Sequence, residues 1–369
     1  MSREPEPLTL AHFVSRLKRI VARVTQVDPG GIDHALRLTV SFSLYTKSDA
    51  LRCQERPFDR PAFAERLNEL DALLGSWRGV RGAQASTPVA EARSPEEVVA
   101  ELYSQCWTNY DDRAFLESVD LFEERFRVNR IDPAFLKGTD CLDAGCGSGR
   151  YTIAMARLGA AHATGIDISA RAIREATQRC ERLGCADAVT FRRGSVIDMP
   201  SDWTERFDFV CSNGVVHHTL NPTKGLREIF RVLRPGGRAY VFVYGAGGLF
   251  WAMVDAMRAL MAPVPLGFAN AWLQSLGVGP GKIFNFLDHA CVPMQERLTK
   301  REFESRLAAC GFEALQYMPR AKIYDASERY HRFPEERDLV GEGDLRYMAL
   351  KPPARRTIGR ARRVKVAVR

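Results

Sequence analysis

The chain has 369 residues, of which 46% are hydrophobic and 27% charged, and its formal net charge is +8. This length suits one large or two small domains with a substantial core, and the composition is that of an ordinary globular protein rather than a disordered or collagen-like one. The first residues lack the apolar stretch of a secretion signal, and we expect no bilayer-spanning helix, so the sequence predicts a cytoplasmic protein.

The positive charge is concentrated at one end of the sequence. Residues 351–369 hold eight basic side chains and no acidic one, which leaves residues 1–350 formally neutral. This distribution predicts a solvated basic C-terminal tail, and the neutral body argues against a nucleic-acid partner. Peripheral contact of the tail with an anionic membrane surface, or with RNA, stays open as an alternative.

The nine cysteines are scattered along the chain and odd in number. Such usage is typical of reduced thiols and not of a disulfide framework. The pairs Cys141/Cys146 and Cys180/Cys185 share a spacing, but no histidine-rich motif accompanies them. The sequence therefore predicts no metal site.

Residues 1–78 are predicted to form a mostly helical N-terminal extension. Apolar residues recur at helical spacing over 8–24 and again over 61–77, which predicts two helices. Between them, residues 36–44 alternate strictly between apolar and polar side chains, a pattern that predicts a half-buried strand. Residues 79–93 are rich in Gly, Ala, Ser and Pro and are predicted to be a linker.

Residues 94–350 are predicted to form an α/β domain with a Rossmann-like, doubly wound sheet, because strand and helix patterns alternate from residue 140 onward. The predicted strands are 140–144, 163–167, 188–192, 207–212, 239–244, 312–318 and 345–350. The predicted helices begin after Ser94 and span 115–128, 149–158, 169–183, 222–233 and 299–310. The insertion 245–298 follows the fifth strand, where ligands bind in such sheets, and is predicted to be a substrate lid.

The stretch from Asp140 to Gly149 predicts a strand, a glycine turn and a helix in direct succession. Its three glycines, Gly145, Gly147 and Gly149, are spaced by two residues. Glycine permits positive φ and lets backbone N–H groups at a helix N-terminus approach a ligand closely. The spacing differs from the dinucleotide fingerprint Gly-x-Gly-x-x-Gly, and Asp143 would repel a phosphate, so a dinucleotide enzyme is disfavoured.

Two carboxylates indicate what the glycine turn binds. Asp143 ends the first strand and could hold an amine, while Asp167 ends the next strand, where an acid commonly meets a ribose diol. An amino group together with a ribose diol suggests S-adenosylmethionine (SAM).

Four segments resemble the class I SAM-dependent methyltransferases, especially the type-11 group that includes quinone-biosynthesis enzymes. These segments are Leu142–Gly149, Gly165–Ser169, Phe207–His218 and Arg231–Gly237. The resemblance covers residues 140–350. It implies a seven-stranded sheet with an antiparallel last strand, and SAM as the cofactor.

The resemblance also implies which residues bind SAM. Asp143 and the turn residues Gly145, Cys146, Gly147 and Gly149 would hold the methionine part, and Tyr110 would cap its carboxylate. Asp167 would take the ribose hydroxyls and Ile168 the adenine, while Asn213 would face the path of the methyl group. The family often has an acid directly after Gly194, where this chain has Ser195, so Asp198 and the Val196 N–H are the alternative adenine contacts.

A methyl acceptor that starts as a hydroxyl or a protonated amine needs a base. His217 and His218 follow the fourth strand and are the candidate catalytic residues by position, and His289, Asp288 and Tyr244 are candidates for lining the lid.

The sequence predicts a SAM-dependent methyltransferase that acts on a small molecule or on a lipid- or sugar-containing intermediate, with oxygen favoured as acceptor. No Asn-Pro-Pro-Tyr-like segment follows the fourth strand, which disfavours an amide or base nitrogen. One alternative is an RNA methyltransferase that uses the basic tail. Another is a SAM-binding scaffold protein without transfer activity, in which residues 1–93 dock a partner. The sequence makes no prediction of the oligomeric state.

Overall fold

A computed structural model describes residues 8–52 other than 32, 57–76, 94–320 other than 109 and 111, and 336–354. The predicted linker 79–93 lies outside these residues, and so does the predicted tail from 355 onward.

A seven-stranded sheet forms the centre of the molecule, with the strand order β3-β2-β1-β4-β5-β7-β6. The strands are β1 (Asp140–Ala144), β2 (His162–Asp167), β3 (Val189–Arg193), β4 (Phe207–Asn213), β5 (Leu233–Tyr244), β6 (Glu313–Tyr317) and β7 (Asp344–Leu350). Only β7 runs antiparallel to its neighbours, while the other pairs are parallel. The predicted doubly wound sheet with an antiparallel last strand is therefore confirmed.

The described residues also form thirteen α-helices. The first five are α1 (Leu10–Val27), α2 (His34–Arg52), α3 (Arg60–Ser76), α4 (Pro95–Thr108) and α5 (Asp112–Val128). The next four are α6 (Arg150–Arg157), α7 (Ala170–Arg182), α8 (Pro222–Val232) and α9 (Gly248–Met261). The last four are α10 (Leu266–Ser275), α11 (Pro280–Cys291), α12 (Lys300–Ala309) and α13 (Arg337–Val340).

The strand predicted for residues 36–44 is wrong, because these residues belong to α2. Side chains on several sides of this helix are buried: Leu38 and Leu44 lie in the apolar core, while Ser41 and Arg37 are also inaccessible. Arg37 is buried because its guanidinium pairs with the Asp28 carboxylate, Nε to Oδ2 at 2.5 Å. A helix that is buried around much of its circumference does not show a clear 3.6-residue hydrophobic period. The alternation of apolar and polar side chains over residues 36–44 therefore does not reflect a strand.

The insertion folds as the three helices α9, α10 and α11, and α9 is buried along most of its length. Helices α1 and α2 pack against α9, and the six helices α1–α3 and α9–α11 share one apolar core. We call these six helices the helical cap. Two other apolar cores lie on the sheet.

In the described part of the chain, no single helix is long and apolar enough to cross a membrane. Helices α9 and α10 pass together by length and composition, but they meet at an angle of 108°.

Candidate active site

The turn after β1 brings backbone close to the carboxyl edge of the sheet. Gly145, Gly147 and Gly149 all have positive φ, at 87°, 51° and 83°. A Cβ on Gly145 would stand 2.4 Å from a methyl group of Val215, so this position has no room for a side chain. Gly145 and Gly147 therefore present only main chain to a ligand at the N-terminus of α6.

Asp143 is buried directly below this turn. The hydroxyl of Thr152 donates a hydrogen bond of 2.8 Å to its carboxylate. Burial raises the pKa of Asp143 to about 7, and the Thr152 hydrogen bond opposes that rise. A carboxyl group in this state gains from a cationic partner, because a nearby positive charge favours its ionised form.

Asp167 ends β2 beside the same turn. Its two carboxylate oxygens each accept one backbone N–H at 2.9 Å, from Gly147 and from Ser169. Burial raises the pKa of Asp167, and these two hydrogen bonds oppose the rise. An ionised carboxylate can accept about four hydrogen bonds, so each oxygen keeps capacity for a further donor.

One cavity of about 980 Å³ runs from this edge to the helical cap. Most of the residues predicted to form the site line it: Tyr110, Asp143, Gly145, Cys146, Gly147, Asp167, Ile168, Val196, Asn213 and His218. The structure thus brings residues from five separate segments together around one space. We call Asp143, Asp167 and the turn 145–149 the cofactor edge.

Three predicted residues do not line the cavity. Gly149 caps α6 with left-handed backbone, and a Cβ there would meet the ring of Phe191 at 2.6 Å. Asp198 turns outward after a bridge with Ser195, and its side chain is 85% exposed, 3.9 Å from Lys224. His217 is buried behind the cavity wall.

The two neighbouring histidines differ in their surroundings. Among the described residues, no atom hydrogen-bonds to either ring nitrogen of His217, and burial, with His218 and His289, lowers its pKa well below the ordinary value. His218 faces the cavity, and its Nδ1 lies 2.7 Å from the carbonyl oxygen of Met294. Since a carbonyl can only accept, Nδ1 carries the proton and Nε2 carries the lone pair when the ring is neutral. Burial lowers the pKa of His218, which favours that neutral ring.

A buried carboxylate from the cap stands beside His218. Asp288 of α11 has its Oδ1 3.7 Å from Nε2 of His218. The hydroxyl of Tyr103 donates to the same Oδ1 at 2.5 Å, and the hydroxyl of Tyr244 donates to Oδ2. We call the part of the cavity lined by these four residues and Phe284 the inner compartment.

Arg125 lines the cavity too and was missed by the sequence reasoning. Its guanidinium is held by the side-chain oxygen of Asn213 at 2.7 Å and by the hydroxyl of Tyr151 at 2.9 Å. Its Nε has no hydrogen-bond partner among the described residues. The available signal was position, because Arg125 continues the stripe of buried Ser118 and Phe122 along α5.

No group of three His, Cys, Asp or Glu side chains that could hold a metal ion occurs within the described residues.

Comparison with known proteins gives the class of the central segment. Residues 136–263 match the family model of a methyltransferase domain. This segment of the chain is a class I SAM-dependent methyltransferase domain, and SAM is the methyl donor of that class.

Individual related proteins extend the comparison over more of the chain. The 27-O-demethylrifamycin SV methyltransferase of Amycolatopsis mediterranei is 28% identical over 262 residues, which cover 66% of this chain and 91% of that protein. A ubiquinone biosynthesis O-methyltransferase of Xanthomonas oryzae pv. oryzae is 36% identical over 106 residues, 29% of this chain and 43% of the enzyme. A Synechococcus protein is 35% identical over 164 residues, which cover 44% of this chain and 37% of its own length.

Among solved structures, the 4+2 cyclase SpnF has a TM-score of 0.44 at 17% identity and covers 71% of this chain and 98% of its own. A geranyl diphosphate methyltransferase in complex with GPP and sinefungin has a TM-score of 0.35 at 16% identity, covering 58% and 71%.

Proposed function

We propose that the protein transfers a methyl group from SAM to a hydroxyl oxygen of a small molecule in the cytoplasm. The observation that carries this proposal is that one cavity connects the cofactor edge with the lone pair of His218. When bound, SAM supplies an electrophilic methyl group on a sulfonium, which is the hard part of the chemistry. The protein then has to bind the acceptor, orient its hydroxyl group and remove one proton from it.

The residues of the cofactor edge fit SAM. Asp167 has hydrogen-bonding capacity left for a ribose diol, and Asp143 gains from a nearby ammonium group. Gly145 and Gly147 line the cavity without side chains, so their backbone is available to the methionine part, and Arg125 offers a half-buried cation to its carboxylate. These contacts extend the predicted set, in which Ile168 and the Val196 N–H meet the adenine and Tyr110 closes the methionine end.

His218 is the base in this proposal. Its neutral ring is held by the Met294 carbonyl with Nε2 free to accept a proton from the acceptor hydroxyl. His217 has no surface on the cavity and packs instead against the rings of His218 and Tyr244, at 4.0 and 4.4 Å between centroids. We therefore assign the proton transfer to His218 and a packing role to His217.

The charge of the cavity supports a neutral acceptor. Eight acidic side chains line it against the three arginines Arg125, Arg150 and Arg346, and four of these acids come from α4 and α5, namely Glu96, Glu117, Asp120 and Glu124. Such a surface repels phosphates and carboxylates and attracts neutral or cationic molecules. It disfavours the RNA alternative, because RNA would have to bring its phosphates to this surface.

The proposal is tested by calorimetric titration with SAM and with S-adenosylhomocysteine (SAH). We expect micromolar binding by the wild-type protein. Asp167→Ala should weaken it about 100-fold or more, because two hydrogen bonds to a charged group are lost, at roughly 1.5–3 kcal/mol each. The exposed Asp202→Ala is the matched control and should bind like the wild type.

Labelled SAM is then supplied with small-molecule fractions of a cell extract, and methylated product is followed. Transfer that is lost in His218→Gln, with SAH binding retained, would support the assignment of the base. Absence of SAH binding by the folded wild-type protein would overturn the proposal. Binding without transfer to any fraction would favour the scaffold alternative.

A further inference from the structure

Asp288 is held in the inner compartment by groups from several parts of the fold. It belongs to α11 of the insertion, while its hydrogen-bond donors are Tyr103 of α4 and Tyr244 at the end of β5. The carboxylate is buried, and each of its oxygens accepts a hydrogen bond from one of the two tyrosine hydroxyls. This arrangement fixes the direction of the carboxylate and gives each of its oxygens a hydrogen-bond donor.

The negative charge of Asp288 has no permanent cationic partner within ion-pair distance among the described residues. His218 is the one basic side chain within 4.0 Å, and its ring is neutral for the reasons given above. At 3.7 Å, two acceptors face each other, Nε2 of His218 and Oδ1 of Asp288. An attractive contact between them forms only when Nε2 gains a proton.

We infer that Asp288 is a positioning residue that stabilises His218 in the protonated form generated during methyl transfer. This inference rests on the proposed function. The O–H bond of the acceptor breaks and its proton goes to Nε2, while the oxygen forms a bond to the methyl carbon and the bond from that carbon to sulfur breaks. The positive charge lost from sulfur thus reappears on the imidazole, next to the carboxylate.

Asp288 stabilises the charged ring of His218 more than the neutral ring. Asp288 gains little from the neutral ring of the resting protein, but it attracts the charged ring that develops as the proton arrives. The two phenols hold the carboxylate before the reaction, so no reorganisation is needed at that moment.

Several groups set the protonation of His218, and they come from every element packed around it. Asp288 favours the charged ring, while burial and the Arg258 guanidinium of α9 oppose it. The rings of Tyr103, Tyr244 and His217 lie at 5.9, 5.6 and 4.0 Å between centroids. Of these groups, only Asp288 carries a negative charge.

The test measures the pKa of His218 by NMR of ¹³Cε1-labelled histidine in the SAH complex, with His218→Gln used to assign the signal. Asp288→Asn keeps the side-chain volume but removes the charge. It should lower the pKa of His218 by about one unit or more. The control is Asp255→Asn in α9, an exposed acid that pairs with Arg297 and should leave the pKa unchanged.

A second variant keeps the inference falsifiable if Asp288→Asn does not fold. Tyr103→Phe removes one donor from the carboxylate and leaves its charge less satisfied, so it should raise the pKa of His218. Opposite shifts in the two variants would support the inference. An unchanged pKa of His218 in folded Asp288→Asn, or in folded Tyr103→Phe where Asp288→Asn does not fold, would overturn it.

The measurement needs no acceptor, so it is independent of whether the methyl acceptor has been found. Once an acceptor is known, Asp288→Asn should lower kcat about 10- to 100-fold with little change in KM, and the acidic limb of kcat/KM should move to lower pH. A rate loss without a moved limb would show a merely structural role and overturn the inference.

Discussion

The cofactor edge and the inner compartment are built from different groups, namely backbone in the first and side chains in the second. At the cofactor edge, glycines at positive φ expose the backbone, and Asp167 is fixed by two backbone N–H groups. In the inner compartment, side chains do this work: Asp288 is fixed by two tyrosine hydroxyls, one of which is 185 residues away in the sequence.

Different substitutions should therefore disrupt the two parts. A site made of backbone depends on the conformation of a few consecutive residues. A site made of side chains depends on the packing of the helical cap against the sheet, because that packing brings Tyr103, His218 and Asp288 together. Substitutions should therefore separate loss of cofactor binding from loss of the cap.

The largest expected effect is at the glycine turn. Gly145→Ala places a Cβ 2.4 Å from Val215 at a φ of 87°, so the turn has to move, and we expect SAH affinity to fall at least 100-fold by calorimetry. Gly138→Ala is the matched control, since Gly138 also has positive φ but no atom within 4 Å of the new Cβ. It should lose about 1 kcal/mol of stability and no SAH affinity. Equal affinity losses in both variants would contradict this explanation.

The next effect concerns the cap alone. Leu260 of α9 is fully buried in the core of the cap, and Leu260→Ala should lower the free energy of unfolding by about 2–5 kcal/mol. Urea denaturation measures this loss, and SAH affinity should stay within about twofold of the wild type. Leu276→Ala, at a residue that is 61% exposed, should change stability by no more than about 0.5 kcal/mol. A parallel loss of SAH affinity in Leu260→Ala would mean that the two parts are not separable.

The same difference explains what could be predicted from the sequence. The strand Asp140–Ala144, the turn after it and Asp167 follow from local pattern, because backbone recognition needs glycines and acids at fixed short spacings. The seven strands and the antiparallel β7 followed from the family resemblance carried by these local motifs, whereas the strand order is seen only in the structure.

Only part of the inner compartment could be predicted in this way. Asp288 and Tyr244 were candidates for lining the lid by their place in or beside the insertion, but Tyr103 looks like an ordinary helix residue. Only the tertiary fold brings Tyr103 and Asp288 to His218. The strand predicted at 36–44 failed for a related reason. A helix buried by α9 and by aromatic contacts such as Tyr45 with Phe286 keeps only a narrow polar face, which does not reveal the helical period. Asp198 has a suitable side chain and position in the sequence, but the bridge to Ser195 turns it to solvent.

The last expected effect is a pH dependence of stability from Asp143, which belongs to the cofactor edge. Its pKa is about 7 in the folded protein against about 3.9 unfolded. Below pH 4 the carboxyl is protonated in both states and contributes nothing. Between pH 4 and 7 the folded state keeps a proton that the unfolded state has lost, so the free energy of unfolding falls as pH rises.

Asp143→Asn removes this cost and can still accept the Thr152 hydrogen bond. The SAM-free variant should match the wild type near pH 4 and be more stable by as much as about 4 kcal/mol above pH 7, because the pKa differs by about three units at about 1.36 kcal/mol each. Urea denaturation across that range measures this difference. Its SAH affinity should nevertheless fall, because the carboxylate charge that burial disfavours is the one proposed to meet the ammonium group. The exposed Asp202→Asn should show neither effect. A variant that is more stable and binds SAH equally well would mean that Asp143 serves the fold of the turn and not the ligand.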